Sequence, residues 1–573
     1  MSIHVVVIGA VAVGPKSASR FKRLMPEARV TMVDRSGRIS YGGCGIPFFV
    51  SGDISRVEEL QSTPYGTLRD AAYFKKAKGV DVLTRTEATR IDRKTKTVTV
   101  TDMASGRESS LAYDKLVIAT GSSPFIPPIP GVTLEGISPA TNLDEAEAIK
   151  DALAKGQVNN AVVVGGGFIG LEMAVALADM WGIPTTVVEL KENILPGFLS
   201  PALARMAARD LGDHGVTVLT GESVQRFEGE NGHVKEVVTD KRTIPADLVV
   251  MAVGTRPNTQ LAEAAGLALG ERNLILVDEY MRTSDPDIYA GGDCVAIRNQ
   301  VTGKPFWLPL GSQANRQGRV IGTNLAGGSA RFPGAVGSWG VKLFEESAAG
   351  AGITLEGALA AGFDAELVQV QQVDRAHYYP EHDMMSLEAV IDKASGRVLG
   401  VQGVCPNGDS LVSRINAVSP LIAMRGSVED LGNLEVVYSP PFSSAMDVIN
   451  VLGNVAENTL KGRSRTISAT EFRSMWDERD AKTHCFLDAR AQADAAPYCA
   501  AFGDEWLNIP QDQMKDRVAE IPGDKPIIVI CNTGLRAYEA QRVLDELGFT
   551  DHRTVAGGLV SLNRMGLGIL PKK

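Results

Sequence analysis

From His4 the chain reads HVVVIGAVAVGPKSASRFKRL: a run of β-branched residues, a glycine turn, then apolar positions at helical spacing. The same switch recurs from Asn160 in NAVVVGGGFIGLEMAVALADM. A continuous apolar run predicts a strand covered on both faces, and the 3.6-residue spacing after it predicts a helix packed back on that strand, so each segment opens a βαβ unit. One strand–turn–helix design is therefore used twice. After residue 330 the pattern becomes short alternating strands, AELVQVQQV and LEAVIDKASGRVLGVQGV, with helices after Leu411 and from Ser443. That is an α+β unit without a glycine fingerprint, suited to subunit contact. The polar, basic NTLKGRSRT at 458–466 predicts a linker. Beyond it the strands HCFLDAR and KPIIVICN alternate with helices again.

These shifts divide the chain into 1–150 and 256–328 as two parts of one domain, 151–255 as a second, 329–457 as a third and 464–573 as a fourth. A length of 573 residues, well beyond a single hydrophobic core, requires such a division. The net charge of −10 argues against nucleic acid or an anionic membrane as partner. No apolar run approaches the roughly eighteen residues of a membrane span, and MSIHVVVIGA lacks the features of a secretory leader. A cytoplasmic protein is expected. The six cysteines, at 44, 294, 405, 485, 499 and 531, form no disulfide framework, and none of their spacings suits a structural zinc site.

The second glycine turn is a complete G-x-G-x-x-G, with Gly165, Gly167 and Gly170 at the places that permit a tight turn, approach of a pyrophosphate and close helix packing. Its following strand ends in TTVVEL, putting Glu189 where an acid bonds a ribose 2′-hydroxyl and repels a 2′-phosphate. NADH is thus favoured over NADPH, with Lys191 close enough to soften the preference. The first turn keeps Gly9 and Gly14 but has Val11 in the middle; Asp34 at the end of RVTMVD supplies the acid. A glycine-ended buried strand in an unrelated α/β protein is the plain alternative for each turn taken alone.

Further along stand KLVIATGSSP, with Ala119 and Gly121, VVMAVGTRPN, with Gly254, and DIYAGGDC, with Gly292 and Asp293. With ISYGGCGIPFF, PLGSQANRQGRVIG and VVYSPPFSSAMDVINVLG, these make residues 1 to about 455 resemble the pyridine nucleotide-disulfide oxidoreductase family, in its branch of CoA-disulfide and NADH-dependent persulfide reductases. Residues 464–573 resemble a rhodanese domain. The resemblance implies an α/β protein with two Rossmann-like domains, for FAD and NADH, an α+β dimerisation domain and a C-terminal rhodanese domain. FAD and NADH are the implied cofactors, a homodimer the implied assembly, and coenzyme A a candidate bound ligand. It assigns Asp293 to the flavin ribityl chain and Ser40, Pro309 and Ala314 to flavin contacts.

Cys44 lies in an irregular, glycine-rich stretch, and Phe49 stands where disulfide reductases of this class place a second cysteine. Cys44 either packs inertly or exchanges a sulfur bond alone with an incoming molecule, which demands a thiolate and so a lowered pKa. The resemblance further implies tyrosines as acid–base partners, Tyr438 in VYSPPF and Tyr379 in HYYPEH, the latter adjoining Tyr378. In VICNTGLRAYEAQRVL, a strand into Cys531, a loop with Gly534 and Arg536, and a helix near Ala537 form a cradle whose N–H groups stabilise a sulfur anion. Cys531 is read as a sulfane-sulfur acceptor and Arg536 as its loop cation, with Asp488 and Arg490 more structural. Lys16, Arg20, Lys22 and Arg23, with Lys75, Lys76 and Lys78, are candidates for CoA phosphates or simply a solvated face.

Departures narrow the choice. Gly43 replaces the Asn that usually precedes the redox cysteine and holds CoA, and Ala12 replaces the His of NADH peroxidases and oxidases. AFGDEWLNIP lacks the rhodanese Gly-His, and the His-Glu pair of glutathione-reductase relatives is missing. The expected activity is NADH-dependent reduction of CoA persulfide, other small persulfides or polysulfide, with CoA disulfide as a second substrate. The alternatives are an NADH oxidase or peroxidase, and a persulfide carrier or redox sensor with little turnover.

Overall fold

The computed structural model describes residues 3–479 and 483–570. It contains two compact units, one of residues 1–190 and 221–335, the other of 191–220 and 336–573.

In the first unit, parallel strands lie in the order Ile288–Ala290, Lys115–Ile118, His4–Ile8, Arg29–Val33, Asp81–Leu83. Val5, Val6 and Val7 are fully buried because helices and loops cover both faces, as a continuous β-branched run requires. A second parallel set runs Thr185–Glu189, Ala161–Val164, Leu248–Met251, Ile137–Ser138. Ser122–Pro124 and Thr255–Pro257 pair antiparallel, Thr255 opposite Pro124, so the segments after KLVIATG and VVMAVG meet each other. Helix Val13–Leu24 packs on helix Gly311–Leu325. A Cβ at Gly318 would stand 2.9 Å from the Val13 carbonyl oxygen, and one at Gly322 2.5 Å from that of Ser17. Two glycines one turn apart thus set how closely the helices approach.

The second unit corrects the strand pattern expected after residue 330. Its antiparallel sheet runs Trp339–Lys342, Ser347–Gly352, Val398–Cys405, Met384–Asp392, Ala365–Val373. Val398–Cys405 is buried at every position, and Met384–Asp392 at all but its first. Helices approach this sheet along Gly408–Ala423, Val448–Leu460 and Pro201–Asp213, which removes the solvent face that alternation presupposes. Both expected helix starts also move. Asn407 accepts the Ser410 N–H, so the first helix opens at Gly408; Asp447 accepts the Ile449 N–H, so the second opens at Val448 rather than Ser443. The linker is shorter than 458–466 too, because that helix runs to Leu460. Arg465 is already fixed, its N–H to Gln541 and its guanidinium 2.7 Å from Asp545.

The C-terminal strands are parallel in the order Thr466–Ile467, His552–Val555, Ile527–Ile530, Cys485–Asp488, Leu507–Asn508. Phe472, Trp476, Phe486, Phe502 and Trp506 stack edge-on at one side of them.

Candidate active site

Strand His4–Ile8 delivers the first turn. Gly9 has φ +103°, and a Cβ there would lie 2.1 Å from the Ala119 carbonyl oxygen; one at Gly14 would lie 1.9 Å from that of Gly9. Val11, at the degenerate middle position, is exposed. Helix Val13–Leu24 begins without a side-chain cap, leaving N–H groups directed at an incoming phosphate. Asp34 accepts the Ala10 N–H at 2.7 Å and the Ser36 N–H at 2.8 Å. Burial pushes its carboxyl up, and these two bonds pull the other way. Buried Ser40 has φ +52° and donates its N–H to the Ala10 carbonyl at 2.8 Å. Gly121 has φ +64° and open space beside its Cα.

On the other side of the sheet, the Gly292 N–H is held by Gln317 Oε1 at 2.7 Å. Ser122 donates to Asp293 Oδ2 at 2.9 Å, and Trp307 Nε1 to the Asp293 carbonyl at 2.7 Å. Desolvation pushes the Asp293 carboxyl up, opposed by Ser122. Pro309 is exposed just before helix Gly311–Leu325, and Ala314 is buried in its first turn. These residues form a glycine-floored cradle that a Cβ would fill, flanked by two acids, and they fit FAD. The second turn repeats the geometry. Gly165 has φ +109°, a Cβ at Gly170 would lie 2.0 Å from the Gly165 carbonyl oxygen, and Gly167 faces open space. Buried Glu189 accepts the Gly166 N–H at 2.6 Å. Gly254 has φ +104° where the adjoining strand leaves the sheet. This second cradle fits NADH.

Cys44 lies in the turn Gly43–Gly45, which leads into helix Ile46–Ser51 and is tied down by the Gly42 N–H on the Leu60 carbonyl. A Cβ at Gly311 would lie 3.9 Å from Cys44 Sγ, so the thiol stands at the N-terminus of the helix that follows Pro309. The residue is exposed, yet its thiol is pushed up, first by desolvation and then by the carboxylates of Glu172 and Asp293. This corrects the expected lowering: the protein's own groups around Cys44 favour the neutral thiol. Phe49 is buried, with the Lys150 ammonium 4.0 Å above its ring, and carries no resolving thiol. Sequence reasoning missed Glu172, whose carboxyl burial pushes up to about 7. It sits in the apolar helix Phe168–Ala178, where position alone does not separate it from a solvated face.

The basic candidates divide. Arg20 Nε donates to Thr323 Oγ1 at 3.1 Å, and Lys22 Nζ to the Ala28 carbonyl at 2.6 Å. Lys75 is paired with Asp81, and Lys78 lies 5.3 Å from the centre of the Tyr73 ring. Lys16, Arg23 and Lys76 are exposed. The Lys22 stem reaches Gly79, where a Cβ would lie 2.8 Å from its Cε, so the two basic segments are neighbours.

In the second unit the hydroxyl of Tyr438 hydrogen-bonds Tyr378, which pushes the Tyr378 phenol up. Tyr379, the other expected acid–base residue, adjoins Tyr378 and donates its N–H to the Ala376 carbonyl at 2.8 Å. Cys531 directly follows strand Ile527–Ile530 and is buried. The Gly534 N–H donates to its Sγ at 3.1 Å, Gly534 having φ +110°, and helix Leu535–Glu546 follows at once. Helix Gly558–Arg564 braces the loop, with Leu559 N–H on the Cys531 carbonyl and Val560 N–H on that of Asn532. Arg490 forks onto Asp488 and reaches Asn532 Oδ1 at 3.2 Å, a link to the loop that the sequence did not reveal. Trp506, from the segment lacking Gly-His, donates to Asp488 at 3.0 Å. Arg536 lies 3.6 Å from Asp494.

Two glycine-turn cradles, a thiol at the head of a helix and a second thiol in an N–H loop define a flavoprotein reductase fused to a sulfurtransferase-type domain. The chain belongs to the pyridine nucleotide-disulphide oxidoreductase family, which residues 3–318 match, with that family's dimerisation domain at 340–448 and a rhodanese-like domain at 468–564. It is 35% identical over 451 residues to a CoA-dependent NAD(P)H sulfur oxidoreductase of Pyrococcus abyssi, covering 79% of this chain and 97% of that one. It is 32% identical over 460 residues to an NADH oxidase of Methanocaldococcus jannaschii, covering 80% and 99%. Among solved structures, an NAD-dependent persulfide reductase from A. fulgidus superposes with a TM-score of 0.91 at 40% identity, covering 98% of this chain and 100% of that one.

Proposed function

We propose that the chain uses NADH to reduce CoA persulfide, related small persulfides or polysulfide at Cys44, with Cys531 supplying sulfane sulfur. The observation that carries the reading is the lone thiol at the head of helix Gly311–Leu325, with Phe49 where a resolving cysteine would stand. A single thiol suits an acceptor that brings its own sulfur–sulfur bond. The relatives from P. abyssi and A. fulgidus, named for sulfur and persulfide reduction, support it.

FAD, when bound, takes two electrons from NADH and supplies them to sulfur. Cys44 as thiolate bonds to the outer sulfur of the persulfide, the S–S bond breaks, and the inner sulfur leaves with the electron pair as a thiolate. Reduction then returns Cys44 and releases hydrosulfide, so NADH, one proton and a persulfide yield NAD+, a thiol and H2S. The Tyr438 hydroxyl, with that of Tyr379 or of the adjoining Tyr378, protonates the leaving thiolate. Gly9, Gly14, Asp34, Ser40, Ala119, Gly121, Gly292, Asp293, Pro309 and Ala314 hold FAD, and Gly165, Gly167, Gly170, Glu189 and Gly254 hold NADH. Lys16, Arg23 and Lys76 receive the phosphates of CoA. Val437, Phe442 and Met446, 85%, 66% and 54% exposed, line the face that joins two copies in a homodimer. Among the described residues no helix is long and apolar enough to cross a membrane and no side-chain cluster suits a metal ion.

The test is anaerobic stopped-flow reoxidation of the NADH-reduced protein by CoA persulfide, CoA disulfide and peroxide, in wild type and Cys44→Ser. Fast reoxidation by persulfide that needs Cys44 is expected. Equally fast reoxidation by peroxide or oxygen without Cys44 would favour the oxidase reading that the M. jannaschii relative represents.

A further inference from the structure

Two guanidinium groups flank the Cys531 loop, and each meets a carboxylate before any donor arrives. Arg490 is buried with Asp488, their closest atoms 2.7 Å apart, and its remaining nitrogen reaches Asn532 Oδ1 at 3.2 Å. Arg536, at the other end of the loop, lies 3.6 Å from Asp494 in the first turn of helix Gln492–Phe502. Burial opposes the charge of Arg490, but Asp488 above all, and more weakly Asp494, favour its charged form. Two cations matched by two anions leave no surplus positive charge from these pairs beside the loop.

Beside these matched pairs, the backbone attracts a sulfur anion. The Gly534 N–H points at Cys531 Sγ from 3.1 Å, and such a cradle of N–H dipoles acts at short range on a single charged atom. A sulfonate-tipped donor such as thiosulfate brings two charges, which a free guanidinium would bind in fork geometry. Here the fork of Arg490 is occupied, and the charge of Arg536 is offset by Asp494.

We propose that Asp494 is a specificity-determining residue which, by offsetting Arg536, restricts Cys531 to sulfane sulfur from persulfides of small thiols and selects against thiosulfate. The inference rests on the reading of Cys531 as a sulfane-sulfur acceptor. In the favoured transfer the Cys531 thiolate bonds to the outer sulfur of R–S–SH, and the S–S bond breaks. The electron pair leaves with R–S⁻, which takes the proton of the persulfide, and Cys531 becomes Cys–S–S⁻ with no net oxidation or reduction.

The test uses the full-length holoenzyme without NADH and follows addition of sulfur to Cys531 by intact-protein and peptide mass spectrometry. 2-Hydroxyethyl persulfide and thiosulfate are the donors, with Cys531→Ser as the control. Wild type should load from the persulfide at least about tenfold faster than from thiosulfate. Asp494→Asn should raise thiosulfate loading about five- to tenfold at low salt and leave persulfide loading within about twofold. Because both side chains of the Arg536–Asp494 pair are partly exposed, 38% and 49%, that gain should fade in high salt. Equal use of both donors by wild type, or no thiosulfate gain in Asp494→Asn, would overturn the specificity role. Loading of neither donor on Cys531 would overturn the acceptor reading and this inference with it.

Discussion

The Arg414 guanidinium lies 2.7 Å from the Asp447 carboxylate, with both side chains almost wholly buried. The same guanidinium donates to the backbone carbonyls of Asp374 at 2.8 Å and Phe442 at 3.0 Å. Those carbonyls belong to the segments that carry Tyr378 and Tyr438, so one buried cation holds together the two loops whose hydroxyls meet. Ser444 on the Arg375 carbonyl and Gln372 on the Met446 carbonyl add to the lacing. Replacing Arg414 by Met leaves Asp447 buried and short of its cation, a change that typically costs about 3–5 kcal/mol. Urea unfolding should show this loss. The double variant Arg414→Met, Asp447→Leu should recover part of it, and a single variant as stable as wild type would remove Arg414 from this role.

Glu388 lies on strand Met384–Asp392, wholly buried, and desolvation pushes its carboxyl up to about 7, with Ser200 pulling the other way. Gln402 Nε2, at 3.3 Å, is a hydrogen-bond partner. The folded state therefore holds a proton that the unfolded chain releases near its ordinary 4.5. The stabilising protonation is complete below pH 4.5 and is lost as pH rises through about 7, so the contribution of Glu388 to stability falls across that window. Glu388→Gln should flatten this part of the pH–stability curve and raise stability at pH 8 by roughly 2–3 kcal/mol. Denaturation series at pH 5 and pH 8 measure both effects, and an unchanged slope in the variant would exclude Glu388 as its source.

What could be read in the sequence is what backbone geometry forces on residue type. Gly9, Gly14, Gly165 and Gly170 stand where a Cβ would collide with backbone, so both dinucleotide turns were legible, as was the Cys531 loop with its Gly534 at positive φ. What depends on neighbours distant in the chain was not. The alternation expected after residue 330 gave way to burial on both faces because helices from 201–213 and 408–460 converge on one sheet. Tyr378 and Tyr379 are adjacent, and nothing local in the sequence distinguishes the one that meets Tyr438, which is Tyr378. Glu172 and Asn532 have no local pattern; their proximity to Cys44 and Arg490 is tertiary.

Gly322 and Gly212 make opposite predictions from the same substitution. Beside Gly322 a Cβ would press on the Ser17 carbonyl at 2.5 Å and on Arg20 Cβ at 2.7 Å, where helix Val13–Leu24 has no room to give. Gly322→Ala should destabilise by about 1–3 kcal/mol through overpacking. Since Gln317 on the same helix holds Gly292, FAD should also be lost more readily. Gly212, near the end of helix Pro201–Asp213, has no atom within 4 Å of its Cβ position and needs no left-handed backbone. Gly212→Ala should stabilise by about 0.4–1 kcal/mol. Thermal unfolding together with FAD release by ultrafiltration separates the two, and a stabilising Gly322→Ala would contradict the helix contact described.

Cys44 and Glu172 form the remaining testable pair. After desolvation, the Glu172 carboxylate is the largest influence raising the Cys44 thiol, ahead of Asp293. Burial keeps the Glu172 carboxyl protonated up to about pH 7, so its charge develops over the same range in which Cys44 must become a thiolate. Deprotonation of Glu172 therefore opposes ionisation of Cys44, and the thiol of the protein should titrate late. Glu172→Gln removes that charge at nearly constant volume. The variant should lower the apparent pKa of Cys44 and speed its alkylation by iodoacetamide at pH 8 about three- to tenfold, with little change at pH 6, where the wild-type Glu172 is mostly neutral, as the Gln of the variant is at every pH. Alkylation rates at Cys44, read by peptide mass spectrometry across pH 6 to 10, give both numbers. A uniform shift at every pH would mean that Glu172 acts by packing rather than by charge, and no shift at all would leave desolvation and Asp293 as the causes of the raised thiol.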